Sequence, residues 1–487
     1  MPTSFLSRLF AGRATRVQRV LAGARQEFER GYFESALGIA RQALRHDPRS
    51  AAAHALAGAC SIELARAEQH DAVRRRAAVP DVSGTYDRAI AHFEECAHYS
   101  ADPCKPIGRQ AAALREAGRL DASHALLERA RTRCSANPDY LLELAQDCLC
   151  LGDSGRARSV YEDTLAIAPA DPRVHAAYAL ALLGDGEFGR GWDEYEWRLQ
   201  LAEFAPRHSR QAPRWQGEPV AGRTLFAEAE QGLGDQIMFA SCVPELLAGG
   251  AHVLLEASPR LAKLFEHSFP TATVLPKSGA GRDWASLPAV DWHVPIGSLP
   301  CYMRRSMQAF PDRCNYLKAP PELVDLYRGR LALLGNGPKV GIAWHGGLPG
   351  TLSALRSLRL DDLDPLLQLG HLKFVSLEFA DCRAEIEAAR GRGVGVSWWP
   401  EAALDMAHFA ALISALDCVV SVATTAVHMA GALGKPTWAL VARGGTWRYM
   451  WQGEKMPWYP AVRVLRPAQS GGWSAQVEEI ARALTEQ

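Results

Sequence analysis

The chain has 487 residues, of which 48% are hydrophobic and 22% charged, and its formal net charge is zero at pH 7. This length exceeds what one hydrophobic core usually supports and indicates roughly two to four domains. The composition excludes a largely disordered chain, and the balanced charge gives no reason to expect nucleic acid as a partner. The eleven cysteines include no C-x-x-C pair, so we expect reduced thiols, as in cytoplasmic proteins.

The amino-terminal residues 1–21 carry four arginines among apolar residues, without the continuous apolar stretch of a signal peptide. We interpret this range as a short amphipathic arm. No run in the chain approaches the roughly 20 apolar residues of a membrane span. We therefore expect a cytoplasmic protein that makes at most peripheral contact with a membrane.

Residues 22–201 are rich in Ala, Arg, Leu and Glu, have a helical pattern and repeat. The spacing of Ala36, Ala40, Ala43 and Pro48 recurs as Ala157, Tyr161, Thr164 and Pro169, with weaker copies at Ala89, Phe93, Cys96 and Pro103 and at Ser123, Leu127, Ala130 and Pro138. Small residues are needed where two helices of a repeat press together, and proline ends the second helix. The pattern resembles tetratricopeptide repeats, with a generic helical bundle as the alternative. A basic insert at 65–85 predicts a loop or a lengthened helix.

Residues 202–219 contain three prolines and break the helical period, which predicts a linker. After it, short apolar runs alternate with helical patterns, which predicts an α/β fold with parallel sheets. The predicted strands are Thr224–Ala227, Ala251–Leu255, Lys339–Trp344, Leu372–Leu377, Cys418–Val422, Thr437–Val441 and Val462–Leu465. A Gly-Asn-Gly-Pro segment at 335–338 predicts a hinge between two Rossmann-like lobes, 220–334 and 335–487. Ligands of such folds bind at the carboxyl ends of the strands.

One such strand end leads into Glu230-Gln231-Gly232-Leu233-Gly234-Asp235. We expect Gly232 and Gly234 to reverse the chain at positive φ and to allow close approach of a ligand, while the helix start that follows favours anions. The motif is shorter than G-x-G-x-x-G, because Ile237 stands at the third glycine position. No clear acidic ribose partner follows either, so an NAD-dependent oxidoreductase is disfavoured.

A second strand end leads into Ala423-Thr424-Thr425 and a helix of small residues. Thr424 and Thr425 offer hydroxyl and N–H groups at a helix start, which suits a diphosphate. His428 follows one turn later. It is either a ligand-binding residue or a histidine satisfied within the helix, and this segment does not decide between the two.

Several short motifs occur together in a fixed order. They are 230–239, 291–295 with 298–300, 341–344, 356–358, 374–377, the segment around His428, 447–449 and 457–460. Together they resemble those of bacterial tetratricopeptide-repeat glycosyltransferase-like proteins. The carboxyl half is similar to family-nine glycosyltransferases, the heptosyltransferase group of GT-B fold, and the overall layout is similar to that of O-GlcNAc transferases. The implied fold class is α + α/β, a tetratricopeptide-repeat α-solenoid followed by a GT-B-like pair of Rossmann-like lobes.

The resemblance implies transfer of a sugar from a nucleotide-sugar donor, held mainly by the carboxyl lobe, to an acceptor held by the amino lobe. The acceptor hydroxyl must lose a proton, and the matching aspartate of family-nine enzymes implies that Asp235 is the general base. The alternative is that Asp235 only caps its helix. A repeat array offers a groove for peptides, which makes a protein, such as a surface or flagellar protein, a plausible acceptor beside a glycan.

The departing nucleoside diphosphate needs countercharge, for which we select Arg356, Thr424, Thr425 and His428. Arg448 and His345 are further candidates, although the aromatic residues around Arg448 predict an aromatic cluster that closes the carboxyl lobe. Asp362-Leu363-Asp364 mimics a metal-binding D-x-D, but it fits a helix start better. We therefore expect neither a metal nor another cofactor.

One residue departs from the pattern of the resembling proteins. Ala423 stands where many of them have an aspartate, and alanine cannot bond a sugar or ribose hydroxyl. Glu378, at the end of its strand, could supply that contact, the donor could differ, or the lobe could be inactive. The alternative function is thus a catalytically inactive repeat scaffold with a nucleotide-binding GT-B-like part.

Overall fold

The computed structural model describes residues 17–205, 212–277, 289–312, 315–347, 350–444, 446–467 and 472–486. Its internal contacts divide the chain into two compact units. The first unit ends at Pro169 and also includes Gly347–Leu355, and the second unit holds the rest. Our sequence bounds placed the end of the helical array at residue 201, and those bounds stay a prediction.

The first unit is built from antiparallel helix pairs. Its helices are α1 (17–29), α2 (Phe33–His46), α3 (Ala51–Arg75), α4 (Ser83–Tyr99), α5 (Cys104–Glu116), α6 (Leu120–Cys134), α7 (Pro138–Cys150) and α8 (Ser154–Ile167). The predicted small positions are buried, since Ala36, Ala40 and Ala43 have no exposed surface. Of the predicted arm 1–21, residues 1–16 lie outside the described residues, and Val17 and Leu21 pack on α2 and α3 as part of α1.

The repeat period is visible in the backbone. Gly118, Gly152 and Gly186 each have a positive φ at the turn between two helices, and they follow one another at the period of about 34 residues that is typical of tetratricopeptide repeats. The insert at 65–85 is a lengthened helix followed by a loop, because α3 continues to Arg75 and ends where Arg76 adopts the left-handed conformation. The predicted repeat architecture is confirmed.

The expectation of reduced cysteines is wrong for one pair. Cys104 at the start of α5 and Cys134 at the end of α6 form a disulfide, with their Cα atoms 5.4 Å apart. The two residues are 30 positions apart, so only the pairing of the helices brings them together. The other cysteines of the described ranges are free and buried.

The second unit begins with helices and continues with two sheets. Its first elements are α9 (Pro172–Gly184), α10 (Phe188–Tyr195) and a 3₁₀ turn, Glu196–Gln200. The first sheet contains β1 (Thr224–Glu228), β2 (His252–Ala257), β3 (Thr273–Pro276) and β4 (Trp292–Pro295), in the order β3-β2-β1-β4, and all its pairings are parallel. Helices α11 (Leu233–Phe239), α12 (Val243–Ala248), α13 (Pro259–Ser268), α14 (Leu299–Met303) and α15 (Pro321–Ala332) accompany it.

Seven strands of the described ranges form the second sheet. They are β5 (Lys339–Ala343), β6 (Lys373–Ser376), β7 (Val396–Trp398), β8 (Cys418–Val422), β9 (Thr437–Leu440), β10 (Lys455–Met456) and β11 (Tyr459–Leu465), in the order β10-β11-β9-β8-β5-β6-β7. Only β10 is antiparallel to its neighbour. Helix α16 (Ser353–Arg356) begins in the segment that belongs to the first unit and ends at Arg356 of the second. The helices that follow are α17 (Asp364–Leu367), α18 (Arg383–Gly391), α19 (Met406–Ala415), α20 (Thr425–Ala432) and α21 (Ser474–Thr485).

The α/β prediction is confirmed, since all seven predicted runs are strands and they form two sheets. The Gly-Asn-Gly-Pro segment connects α15 to β5, and Gly335 and Gly337 both have positive φ. A Cβ on Gly337 would lie 2.0 Å from the carbonyl oxygen of His371, so no side chain fits there. The segment therefore lies between the two sheets as predicted, and its role as a hinge stays a prediction.

Of the predicted linker 202–219, residues 206–211 lie outside the described residues. Trp215, in the described part, is buried, and its N–H donates to the carbonyl of His293 in β4. Within the described ranges, no helix is both long and apolar enough to cross a membrane.

The aromatic cluster near Arg448 differs from our prediction. Trp447 and Trp458 are buried and contact Trp192 of α10, with ring centroids 5.6 and 6.3 Å apart. Trp458 also meets Phe310, at 5.0 Å. These aromatic side chains therefore join α10 and the first lobe to the second, and they do not merely close the carboxyl lobe.

Candidate functional site

The turn after β1 corrects one expectation from the sequence. The left-handed residue is Gln231, with φ of 59°, whereas Gly232 has φ of −84°. Tyr195 holds the Gln231 side chain, whose Nε2 donates to Tyr195 Oη at 2.8 Å. Gly234 is required for a close approach instead, because a Cβ there would lie 2.9 Å from Cδ2 of His428.

Asp235 lies at the third position of α11 and has two internal partners. Its Oδ2 accepts from the N–H of Gly232 at 3.3 Å, as in a helix cap, and its Oδ1 accepts from Nε of Arg448 at 2.7 Å. About a fifth of the side chain is exposed, at 18%. A carboxylate offers about four lone-pair positions, so Asp235 retains capacity for a further hydrogen bond.

His428 lies on α20 directly opposite this turn. Its Nδ1 is 3.2 Å from the Tyr459 hydroxyl, and its ring centroid is 5.9 Å from that of Tyr449. Burial and, after it, the nearby Arg448 lower the pKa of His428 to about 3. His428 is therefore neutral at pH 7 and can act as a hydrogen-bonding group but not as a cation.

Thr424 and Arg356 define the start of α20. The Thr424 hydroxyl accepts from the N–H of Ala426 at 3.2 Å and caps the helix, and Thr425 is its first residue. Arg356 Nη2 donates to the carbonyl of Ala423 at 2.6 Å, and burial lowers the pKa of Arg356. The carbonyl oxygen of Ala423, whose side chain offers no polar group, thus accepts from a guanidinium.

Glu378 and His345 lie at the carboxyl ends of β6 and β5. Glu378 is buried, and its Oε1 accepts from the N–H groups of Trp344 at 2.6 Å and of His345 at 3.0 Å. Burial alone would lower the pKa of His345, but Glu378 and Glu385 outweigh it and raise this pKa to about 10. His345 therefore carries a positive charge at pH 7, and Glu378 is engaged in holding this strand end.

Four of the residues selected from the sequence lie together. Asp235, Arg448 and Arg356 all act electrostatically on His428, although they follow strands of two different sheets. Sequence reasoning missed Tyr195, Tyr449 and Arg198, which lie around this group, and Glu385, which pairs with His345. Only the position of Tyr449, next to Arg448 in a noted motif, carried any signal.

The arrangement combines one accessible carboxylate with two guanidinium groups and a capped helix start. Such a set can accept a proton and stabilise a developing diphosphate charge. Asp362 caps the start of a short helical turn, because its Oδ2 accepts from the backbone N–H of Arg359 at 2.8 Å. Among the described residues, no cluster of three His, Cys, Asp or Glu side chains could hold a metal ion.

Comparison with models of protein families finds no match. Protein FlbA of Caulobacter vibrioides is 33% identical over 328 residues, which are 63% of this chain and 54% of FlbA. The chain therefore spans about half the length of the curated relative it matches.

The solved structures similar to the chain include a repeat protein and two transferases. A tetratricopeptide protein of Thermus thermophilus has a TM-score of 0.31 at 17% identity, covering 38% of this chain and 91% of its own. A mutant O-GlcNAc transferase of Thermobaculum terrenum has a TM-score of 0.35 at 13% identity, and the match covers 98% of this chain and 90% of that structure. The E. coli ADP-heptose heptosyltransferase II has a TM-score of 0.40 at 14% identity, and the match covers 54% of this chain and 99% of that structure.

The helices and sheets described above define the fold class by themselves. The chain has tetratricopeptide-like repeats followed by a GT-B-like pair of parallel-sheet lobes, as predicted. At TM-scores below 0.5 the similarities add nothing on activity, because one fold hosts many functions.

Proposed function

We propose that the protein is a glycosyltransferase that moves a sugar from a nucleotide-sugar donor to a protein or glycan acceptor. The observation that carries the proposal is the meeting of Asp235 with Arg448, His428 and Arg356 at strand ends of two parallel sheets. In open α/β sheets this is where ligands bind. The motif resemblance supports the same class of reaction.

In the proposed reaction, the acceptor oxygen forms a bond to the anomeric carbon of the donor. The bond from that carbon to the diphosphate breaks, and its electron pair leaves with the nucleoside diphosphate. Asp235 takes the proton of the acceptor hydroxyl. Thr424, Thr425 and the start of α20 hold the diphosphate, with Arg356 as its countercharge. We propose no metal for this step.

The proposed partners follow from the architecture. The repeats offer a surface for a protein or peptide acceptor, such as a surface or flagellar protein, and we propose a cytoplasmic location because nucleotide sugars are found there. The Cys104–Cys134 disulfide is uncommon in that compartment, so the redox state of this pair in cells tests the proposed location. Mass spectrometry of rapidly alkylated protein tests it, since a disulfide retained by most of the chains in intact cells would contradict a cytoplasmic location.

A specific observation favours a second candidate, an inactive repeat scaffold that binds a nucleotide. Ala423 carries no side chain that could bond a sugar, and its carbonyl binds Arg356. In this alternative Arg356 and the start of α20 bind a nucleotide, and no sugar is transferred.

A binding screen tests the donor site. The purified protein is heated with UDP-, GDP-, ADP-, TDP- and CMP-linked sugars and with the free nucleotides, since a ligand stabilises the folded state that binds it. We expect one nucleotide family to raise the melting temperature, and the same rise should be lost in Arg356→Met. Stabilisation by none of them would contradict both candidates, and binding without transfer to any acceptor would favour the scaffold.

A further inference from the structure

The end of α10 and the 3₁₀ turn after it contribute two side chains to the turn that carries Asp235. Tyr195 Oη accepts from the side chain of Gln231 at 2.8 Å. Arg198 donates to both carboxylate oxygens of Glu230, through Nε at 3.2 Å and Nη2 at 2.7 Å. Two successive residues of the turn are thus held by a helix outside both sheets.

The Arg198 side chain is buried, and its guanidinium donates to several acceptors. The residue is 1% exposed, its Nη2 also donates to Ser298 Oγ at 2.9 Å, and its guanidinium lies 4.2 Å over the ring of Tyr195. Glu230 also accepts from the N–H of Gly297 at 2.7 Å. Bidentate charge-assisted pairs fix geometry as well as supply attraction, so the turn after β1 is tied to the turn after β4.

Gln231 explains why the turn needs such support. A non-glycine residue with positive φ is uncommon and persists only where its surroundings hold it. Gln231 directly precedes Gly232, whose N–H binds Asp235. On the other side, Tyr195 packs against Trp447 at 6.0 Å, and Trp447 lies under Arg448, the ion-pair partner of Asp235.

We infer that Tyr195 and Arg198 are positioning residues. They hold Gln231 and Glu230 so that the Asp235 carboxylate stays in place for the acceptor hydroxyl. The inference rests on the proposed function and extends it, because it makes the helix before the linker part of the transferase site. A misplacement of about 1 Å can reduce a rate by about two orders of magnitude.

Tyr195→Phe tests the inference because it removes only the hydroxyl. We expect kcat for sugar transfer to fall roughly 10-fold or more, while KM for the donor and the melting temperature stay near wild type. The control is Tyr327→Phe, which removes another buried tyrosine hydroxyl of the same unit, bound to His408 at 3.3 Å. It should leave kcat unchanged.

A second variant distinguishes positioning from a general loss of packing. Glycine adopts positive φ without help, so Tyr195→Phe should reduce kcat much less in a Gln231→Gly background than in the wild type. Equal losses in both backgrounds, or wild-type kcat in Tyr195→Phe, would overturn the inference while leaving the proposed function standing. A wild-type protein that transfers no sugar from the donor it binds would contradict the proposed function itself, and the positioning role with it.

Discussion

The two strand-to-helix turns of the candidate site share a plan but differ in what holds the side chains. Each turn has a cap of its own and one arginine from another element, Arg448 after β1 and Arg356 after β8. After β1 the arginine binds the Asp235 carboxylate and Tyr195 binds the Gln231 side chain, whereas after β8 the arginine binds only a backbone carbonyl, that of Ala423. The first turn therefore suits the orientation of a reacting group. The second suits an anion, which the positive end of a helix attracts.

The largest effect that this comparison predicts is that of Asp235→Asn on turnover. Without a base, sugar transfer should slow by about 10²–10⁴-fold, while donor affinity stays near wild type. The measurement is kcat and KM under saturating acceptor. Asp362→Asn is the matched control, because Asp362 also caps a helix start through its Oδ2. Equal rates in the two variants would leave Asp235 with a capping role alone.

A smaller effect is expected from His428→Ala, which removes the neutral imidazole facing the first turn. A hydrogen bond to a charged ligand group contributes roughly 1.5–3 kcal/mol, so donor binding should weaken about 10- to 100-fold. Calorimetric titration with the stabilising nucleotide sugar measures it. His293→Ala, at a buried histidine of β4, controls for lost packing. An unchanged dissociation constant in His428→Ala would make His428 a structural residue.

The buried state of His428 also predicts a pH dependence of stability. Its pKa is about 3 in the folded protein, against the ordinary 6.5, so the unfolded chain binds the proton first as the pH falls. The stabilisation is complete above about pH 6.5 and is lost on acidification, by about 2 kcal/mol at pH 5.

The difference between wild type and His428→Gln isolates this contribution. Denaturant unfolding at pH 7 and pH 5 should show a steeper loss for the wild type. If both proteins lost the same free energy of unfolding between pH 7 and pH 5, His428 would not be neutral in the folded protein. The contribution of His345 to stability depends on pH in the opposite direction. Its pKa is raised to about 10 in the folded protein, so its charged form stabilises the fold fully below about pH 6.5, and this stabilisation is lost as the pH rises through 10.

The smallest predicted effect is that of Thr424→Ala. Loss of an N-cap hydroxyl costs about 1 kcal/mol, so the free energy of unfolding should fall by that amount. Thr424→Ser keeps the hydroxyl and should retain both stability and donor affinity. If Thr424→Ala were as stable as Thr424→Ser, the hydroxyl would not cap α20.

The sequence predicted the fold better than the turns. Strands such as Cys418–Val422 are recognisable in the sequence, because a strand that is buried on both faces is a continuous apolar run. The missed strands β3, β4, β7 and β10 have two to four residues, too few to show a period. The sequence predicts positive φ at Gly232 and Gly234, but the left-handed residue is Gln231. The hydroxyl that holds Gln231 comes from Tyr195, 36 residues earlier, so no local pattern reveals it.

In the candidate site, too, some residues could be predicted from the sequence and others could not. Asp235, Thr424 and His428 were recognisable from motifs, whereas their partners depend on tertiary contacts. Arg448 is 213 residues from Asp235, and no local pattern reveals that pair. Glu378 is one of the alternatives that the sequence leaves open for a contact with the donor, and only the structure shows that its carboxylate accepts from the backbone N–H groups of Trp344 and His345.

A crystal structure with the nucleotide that stabilises the protein tests the central claim most directly. The account predicts the diphosphate at the start of α20, within hydrogen-bond distance of Thr424 or Thr425, with Arg356 beside it and Asp235 facing the sugar. A nucleotide bound elsewhere, with Asp235 and the start of α20 free of it, would contradict the account.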